Sequence, residues 1–338
     1  MKRIHTILIL SFVVWMKFCL CQNLNAQQII ILDSCQKISL RGLSVVNNNI
    51  FWASGSKGTV GRTTNGGKKM KWIKVLSYEQ RDFRDIESFD ENNAIIMAID
   101  SPAIILKTRD GGKSWKKVFE DNRNGMFLDA LNFKNKNSGI VVGDPIDGRF
   151  FLARTNDGGE HWSTIAKNSS PIADSGEALF AASGTNVLLK DDITFFISGG
   201  KSSHLFVGDL KIKLPLLQGK SSTGANSMDI SETGKIIIVG GDFSADSISY
   251  GNCAISDDNG KTFYMPRSSP SGYKSSIAYI GNNKWIACGT SGVDISLDDG
   301  TTWKNISQES FHVVQKAKKG NKIFLAGKNG RIAEILID

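Results

Sequence analysis

The side chains of this chain that could do chemistry stand at the heads of short apolar runs and in the loops that follow them. Arg41 opens LRGLS, Arg84 and Asp85 open FRDIES, Asp129 opens LDALN and Glu177 opens GEALF. Asp229 opens MDIS, Tyr273 and Lys274 open GYKSS, and His312 opens FHVV. Lys57 (GSKG), Asp144, Asp147 and Arg149 (GDPIDGRF), Lys201 (GGKSS), Asp242 (GGDFSAD) and Lys328 (GKNG) lie in the loops. Arginines clamp a carboxylate through paired N–H donors, and two carboxyl groups across a sugar linkage are what glycoside hydrolysis requires. If these residues converge, they form a mixed-charge pocket or groove. If they do not, they are charged strand ends that join one unit to the next.

Other chemistry is excluded by spacing. Gly-Lys-Ser/Thr occurs at Gly112, Gly200, Gly219 and Gly260, but Lys107, Phe195, Leu214 and Ile255 occupy the place of the glycine a phosphate loop needs five residues earlier. No Gly-x-Gly exists, so a dinucleotide-binding turn is absent. Neither a His-x-x-x-His pair nor a Cys-x-x-Cys pair offers a zinc site. No cofactor and no metal are expected. His161 and His204, in or near turns, read as ordinary surface residues.

The elements that must position these side chains come from a repeat. TRDGGKSW (108–115), TNDGGEHW (155–162) and SLDDGTTW (296–303) share one pattern, with SDDNGKTF (256–263) and TTNGGKKMKW (63–72) as looser copies. A short acceptor (Asn65, Asp110, Asp157, Asp258, Asp298) can bond backbone N–H groups two residues on and close a turn. The glycine after it takes a positive φ. Apolar runs flank every copy, which makes each a hairpin, and the aromatic that follows can fill the wedge between neighbouring sheets. The acceptors are spaced 45, 47, 101 and 40 residues apart, so one unit without the motif lies in the long gap.

Seven units result, at 38–76, 82–119, 127–166, 176–216, 226–266, 273–306 and 310–338. The last has no room for a fourth strand, and QIIILD at 28–33 supplies one. The expectation is an all-β, seven-bladed β-propeller in one domain spanning 27–338, closed by lending its first strand to its last blade. Borrowing that strand removes an open sheet edge.

Residues 1–26 read as a secretory signal peptide: Lys2 and Arg3, an apolar run over Ile7–Met16, and a small-residue cleavage site at Ala26. Phe18 and Leu20 are too bulky to precede a lipid-anchored Cys19 or Cys21. Cleavage removes Lys2, Arg3 and Lys17 and leaves 38 basic against 33 acidic residues, net +5. That excess is scattered among turns, with none of the basic stripe that nucleic acid would require. The remaining cysteines are Cys35, Cys253 and Cys288, enough for one disulfide, with Cys253 and Cys288 in neighbouring units. The expected location is the periplasm or the outside of the cell, and a closed ring needs no second copy.

The repeat resembles the Asp-box, or BNR repeat, of β-propellers. ASGSKGTVGRTTNGG, FRDI, GDPIDGRFFLARTNDGGEHW, GEALFAASGTN, GYKSSIAY and FHVV are similar to the photosystem II stability/assembly factor family and its bacterial relatives over nearly the whole chain. The resemblance implies a non-catalytic propeller whose partner is a protein, associated with a membrane. It implies contacts by basic residues of the rim, whose nearest counterparts by blade position are Arg41, Lys57, Arg84, Arg149, Lys201 and Lys328; the reading of strand starts and loops adds Asp85, Asp144, Glu177, Tyr273 and His312 on the rim opposite the Asp-box turns. A small ligand or glycan is the other occupant to consider. Sialidases carry the same box; their chemistry would use Arg41, Arg84 and Arg149 as a clamp, Glu177 and Tyr273 as the nucleophile pair and Asp85 as the acid. The arginine-isoleucine-proline entry of sialidases is absent, since Asp85 and Ile86 follow Arg84.

Overall fold

A computed structural model describes residues 27–34 and 37–337. The proposed signal peptide and Cys35 lie outside the described residues. Seven antiparallel sheets stand around an axis as the blades of a β-propeller. Helix is confined, among the described residues, to a single 3-10 turn at Lys167–Ser169.

Blade 1 is Leu40–Val45, Phe51–Gly55, Thr59–Thr63 and Lys71–Lys74; blade 2 is Phe83–Ser88, Ala94–Ala98, Ala103–Thr108 and Lys116–Asp121. Blade 3 is Leu128–Phe133, Gly139–Ile146, Arg149–Thr155 and Ser163–Thr164; blade 4 is Val187–Lys190, Ile193–Ile197, His204–Val207 and Leu210–Lys213. Blade 5 is Thr223–Ile230, Ile236–Asp242 and Cys253–Ser256, with its fourth strand reduced to the Ile255–Tyr264 bridge. Blade 6 is Ser276–Gly281, Lys284–Gly289, Gly292–Ser296 and Lys304–Ser307. Blade 7 is Val313–Lys316, Ile323–Ala326 and Ile332–Leu336, and Gln28–Asp33 is its outer strand, with Gln28 opposite Leu336 and Ile31 opposite Ala333. The expected closure is present.

The core is a set of seven interblade layers, because each blade buries both faces against its neighbours. The recurrent turns feed these layers. Thr108 Oγ1 donates to Asp110 Oδ1 at 2.9 Å and accepts the Gly112 N–H at 3.0 Å. Asp110 Oδ1 accepts the Ser114 N–H at 3.0 Å, and Asp258 repeats this with Thr262 at 2.9 Å. The carboxylate thus reaches four residues on, where the sequence pattern suggests two. The Ser114 hydroxyl, donating to Asp110 Oδ2 at 2.6 Å, and then the Ser114 N–H hold the Asp110 carboxyl down at about 2. Gly112 has φ 80°, and a β-carbon there would meet Ile73 of blade 1 at 2.8 Å. Trp115 then packs edge-on to Trp52 of blade 1 with ring centres 6.5 Å apart.

Hydrogen bonds at and beside the inner strands, five to side chains and two to backbone carbonyls, tie each blade to the next. Ser44 Oγ accepts the Ser88 N–H, Asp85 Oδ2 that of Leu131, and Asn132 Oδ1 that of Leu189. Thr185 O accepts the Met228 N–H, Asp229 Oδ2 that of Tyr279, Ser276 Oγ that of Val314, and Val45 O that of Lys318. Every blade junction has such a bond, so an inner strand cannot slide without breaking one.

Two expectations are corrected. The fourth blade begins at Val187, so GEALF is not its inner strand; Glu177–Ala178 pairs instead with Gly199–Gly200, on the inner edge of blade 5. Cys253 and Cys288 are both free and buried. Cys253 faces the layer between blades 5 and 6 and Cys288 the layer between blades 6 and 7, so the blade 6 sheet stands between them. Burial pushes both thiols far up, as for inert core cysteines.

Candidate functional site

The segment after Glu177 crosses the axis. Arg41 donates to Ala182 O at 3.2 Å from blade 1, and Arg84 to Ala181 O at 3.4 Å from blade 2. Ser183 Oγ donates to Ser275 O at 2.7 Å beside blade 6, and Thr185 Oγ1 lies 2.6 Å from Ser227 Oγ of blade 5. Gly184, at φ 69°, rests against the Asp85 carboxyl so closely that any β-carbon would collide with it. Residues 179–186 are therefore a plug. They separate an axial mouth of about 410 Å³ from a cavity of about 110 Å³ beneath.

The mouth opens where the inner strands begin, on the rim away from the recurrent turns. It is lined by Arg41, Arg84, Asp129, Asp144, Tyr273 and His312, all singled out by sequence, and by Phe127, Phe180, Asn226 and Phe243, which were not. Phe243 is exposed and meets Phe180 and Tyr273 edge-on at 5.6 and 6.3 Å. Its sequence signal was its place beside Asp242 in a loop already marked.

Charge in the mouth is unevenly satisfied. Arg84 Nε donates to Asp82 at 2.9 Å. Arg41 is bonded to a carbonyl, and burial together with the adjacent Arg84 presses its pKa down. Asp129 is fully buried and neither of its oxygens has a hydrogen bond of normal geometry. Burial raises its pKa well above the carboxylate range and the nearby Asp144 raises it further, while Arg84 and the Asp144 and Ala181 amides oppose this. Asp144 accepts the Leu179 N–H at 2.8 Å, and burial raises it too. Tyr273 gives its hydroxyl to Asn226 Oδ1 at 2.8 Å, and burial raises its pKa. His312 Nδ1 donates to Leu40 O at 2.8 Å; burial and Arg41 pull it down to about 4, so it is neutral near pH 7.

The remaining expected residues do not join the mouth. Lys57 is exposed in the blade 1 hairpin at φ 58°. Arg149 donates to Ser170 O at 2.5 Å in a groove with Asp121, Arg123 and Lys167. Lys201 is exposed and lies along Gly176. Asp85 is below the plug, accepting the Ile86 and Leu131 N–H groups at 2.7 Å each.

Glu177 belongs to another cluster, in which His204, expected at the surface, is buried. It accepts from His204 at 2.9 Å, Lys211 at 2.9 Å, the Asp174 N–H at 2.7 Å and Ser198. Burial pushes its pKa up, but these donors outweigh it and hold the carboxyl at about 2. Asp174, Glu177 and His204 have the donor types of a metal site, yet the Lys211 ammonium bridges both carboxylates and fills the place. Asp85, Glu177 and Tyr273 border three separate cavities, so the trio imagined for glycoside cleavage is not assembled.

No family model matches this chain, and no curated protein does. Solved structures do. YCF48 bound to a D1 peptide aligns with a TM-score of 0.64 at 18% identity, over 94% of this chain and 98% of that one. The chain shares its fold with YCF48. YCF48 from Cyanidioschyzon merolae gives 0.64 at 16% identity, covering 90% and 98%. The WD40 propeller domain of Doa1 gives 0.58 at 13%, covering 92% and 97%. YCF48 is a photosystem II assembly factor, so the resemblance read from the blades extends to three dimensions at the level of fold.

Proposed function

We propose that this chain is an exported, non-catalytic Asp-box propeller whose axial mouth docks a segment of a protein partner, in the manner of an assembly factor. One observation carries this. Arg41 and Arg84 stand half-buried in a cavity walled by Phe127, Phe180 and Phe243, with Arg41 spent on a backbone carbonyl and not on a carboxylate. Few polar groups among aromatic walls are the make-up of a recognition pocket, and Arg with aromatic residues supplies most binding hot spots. A propeller of the same fold, YCF48, has been solved with a D1 peptide. The partner is a protein at a membrane, met in the periplasm or outside the cell. Catalysis is not part of the proposal, because the carboxyl groups expected to perform it are dispersed and hydrogen-bonded.

The test is capture of partners from a solubilised membrane fraction by the full chain. Arg84→Glu is expected to weaken capture on the order of 100-fold, the scale for losing a desolvated charged contact. Lys201→Glu, outside the mouth, is expected to leave it unchanged. Equal effects of the two substitutions would remove the mouth from the reading.

A further inference from the structure

Asp129, buried, and Asp144, half-buried, are acids whose oxygens are less completely hydrogen-bonded than those of the acids on other inner strands. A carboxyl group shut away from water is normally paired or fully hydrogen-bonded. Asp85 and Asp229, on inner strands like Asp129, obey this by each accepting two backbone N–H groups. Asp129 accepts none of normal geometry, and it lines the mouth. Asp144 lines the same cavity and takes one bond, from Leu179.

The surroundings decide the charge state. Blade 1 contributes Arg41 and blade 2 contributes Arg84 with its partner Asp82. From the far side come Tyr273, committed to Asn226, and His312, committed to Leu40. Lys274 beside Tyr273 is turned away onto Asp294 at 2.6 Å. Two neighbouring acids in a low-dielectric wall do not both ionise. The mouth therefore keeps the positive charge of its arginines, with one of the two acids protonated as a hydroxyl donor and the other left to take up a proton.

We infer that Asp129 and Asp144 are a hydrogen-bond-donating acid pair that sets the specificity of the mouth, so that it accepts a segment presenting a carboxylate and refuses a cationic one. The inference rests on the docking reading above. The carboxylate would take N–H donors from Arg41 and Arg84 and O–H donors from the acid pair. Its binding draws a proton onto the pair. Raising the pH ionises the pair and repels the ligand.

Three short probes, each with one phenylalanine, test this against the full chain: an end-blocked peptide with two glutamates, a glutamine peptide with a free C-terminal carboxylate, and an end-blocked peptide with two lysines. One or both carboxylate probes are expected to bind, and which of them binds identifies a side-chain or a terminal source. Affinity is expected to fall at least tenfold from pH 5 to pH 8, since one linked proton gives up to tenfold per pH unit. Calorimetry in buffers of different ionisation heat is expected to show proton uptake by the unaltered protein. Asp129→Asn with Asp144→Asn is expected to flatten the pH profile, with folding checked by the melting temperature. Tighter binding of the lysine probe, weakened by Phe243→Ala in the mouth wall, overturns the acid pair and leaves the docking reading standing. Binding without proton uptake does the same. Failure of all three probes, with membrane capture indifferent to Arg84→Glu, overturns both.

Discussion

The cavities on either side of the plug are built from the same kinds of residue and are opposites in use. Below it, Asp85 and Asp229 spend their oxygens on backbone N–H groups of their own and the following blade. Above it, Asp129 has the Asp144 and Ala181 amides nearby but no hydrogen bond of normal geometry, and Arg41 holds only a carbonyl. Position on an inner strand does not tell a joint from a recognition group. What separates them is whether the hydrogen-bonding capacity is already used, because an unused polar group in a sheltered site costs stability that only a ligand can return.

The sharpest way to break this contrast is to remove one acid from each side. Asp85→Ala orphans two buried N–H groups and is expected to lower unfolding free energy by about 3 kcal/mol, read by denaturant titration. Asp129→Asn is expected to change it by less than about 1 kcal/mol, since it breaks no bond of normal geometry. Equal losses would erase the distinction between joint and recognition group.

Gly184→Ala attacks the partition itself. It forces a β-carbon onto the Asp85 carboxyl at a φ of 69°. A loss of about 2 kcal/mol is expected, with greater protease sensitivity within 179–186. An unchanged melting temperature would mean that the plug is not tightly seated.

The smallest effect is a pH slope. Burial raises the Asp229 pKa to about 6 despite two N–H donors. A pKa above its unfolded value gives stability that is complete below about pH 4 and is lost as pH rises through about 6. Asp229→Asn is expected to remove a decline of roughly 1–2 kcal/mol between pH 4 and 7. Glu177 and Asp110, both held at about 2, act oppositely: their contribution is present above about pH 4 and fades as pH falls towards 2. A wild-type slope of the other sign between pH 4 and 7 would contradict the assignment for Asp229.

Much of the architecture was legible because it is written locally. A hydroxyl, an acid, a glycine and a ring within eight residues specify a turn, and their spacing counts the blades. The borrowed strand at Gln28–Asp33 followed from a blade that was one strand short. The plug was not legible. GEALF has the same local pattern as LRGLS and MDIS, and only contacts with four other blades place it across the axis. Glu177 was misplaced for the same reason, since its partners His204 and Lys211 lie 27 and 34 residues away. Arg41, Arg84, Asp144, Tyr273 and His312 line one cavity because strand starts and rim loops share one end of a propeller. Phe127 and Phe180 were missed, because an aromatic in a loop has no signature apart from the fold that turns it inward.

The pairing of Gln28–Asp33 with Ile332–Leu336 has a consequence for biogenesis. The first strand of the ring in chain order has its partner in the last. Six blades can collapse in order as they emerge, but the circle stays unlatched, with one ribbon edge bare, until residues 332–336 are available. A nascent chain stalled before residue 332 would carry that bare edge as an invitation to aggregate.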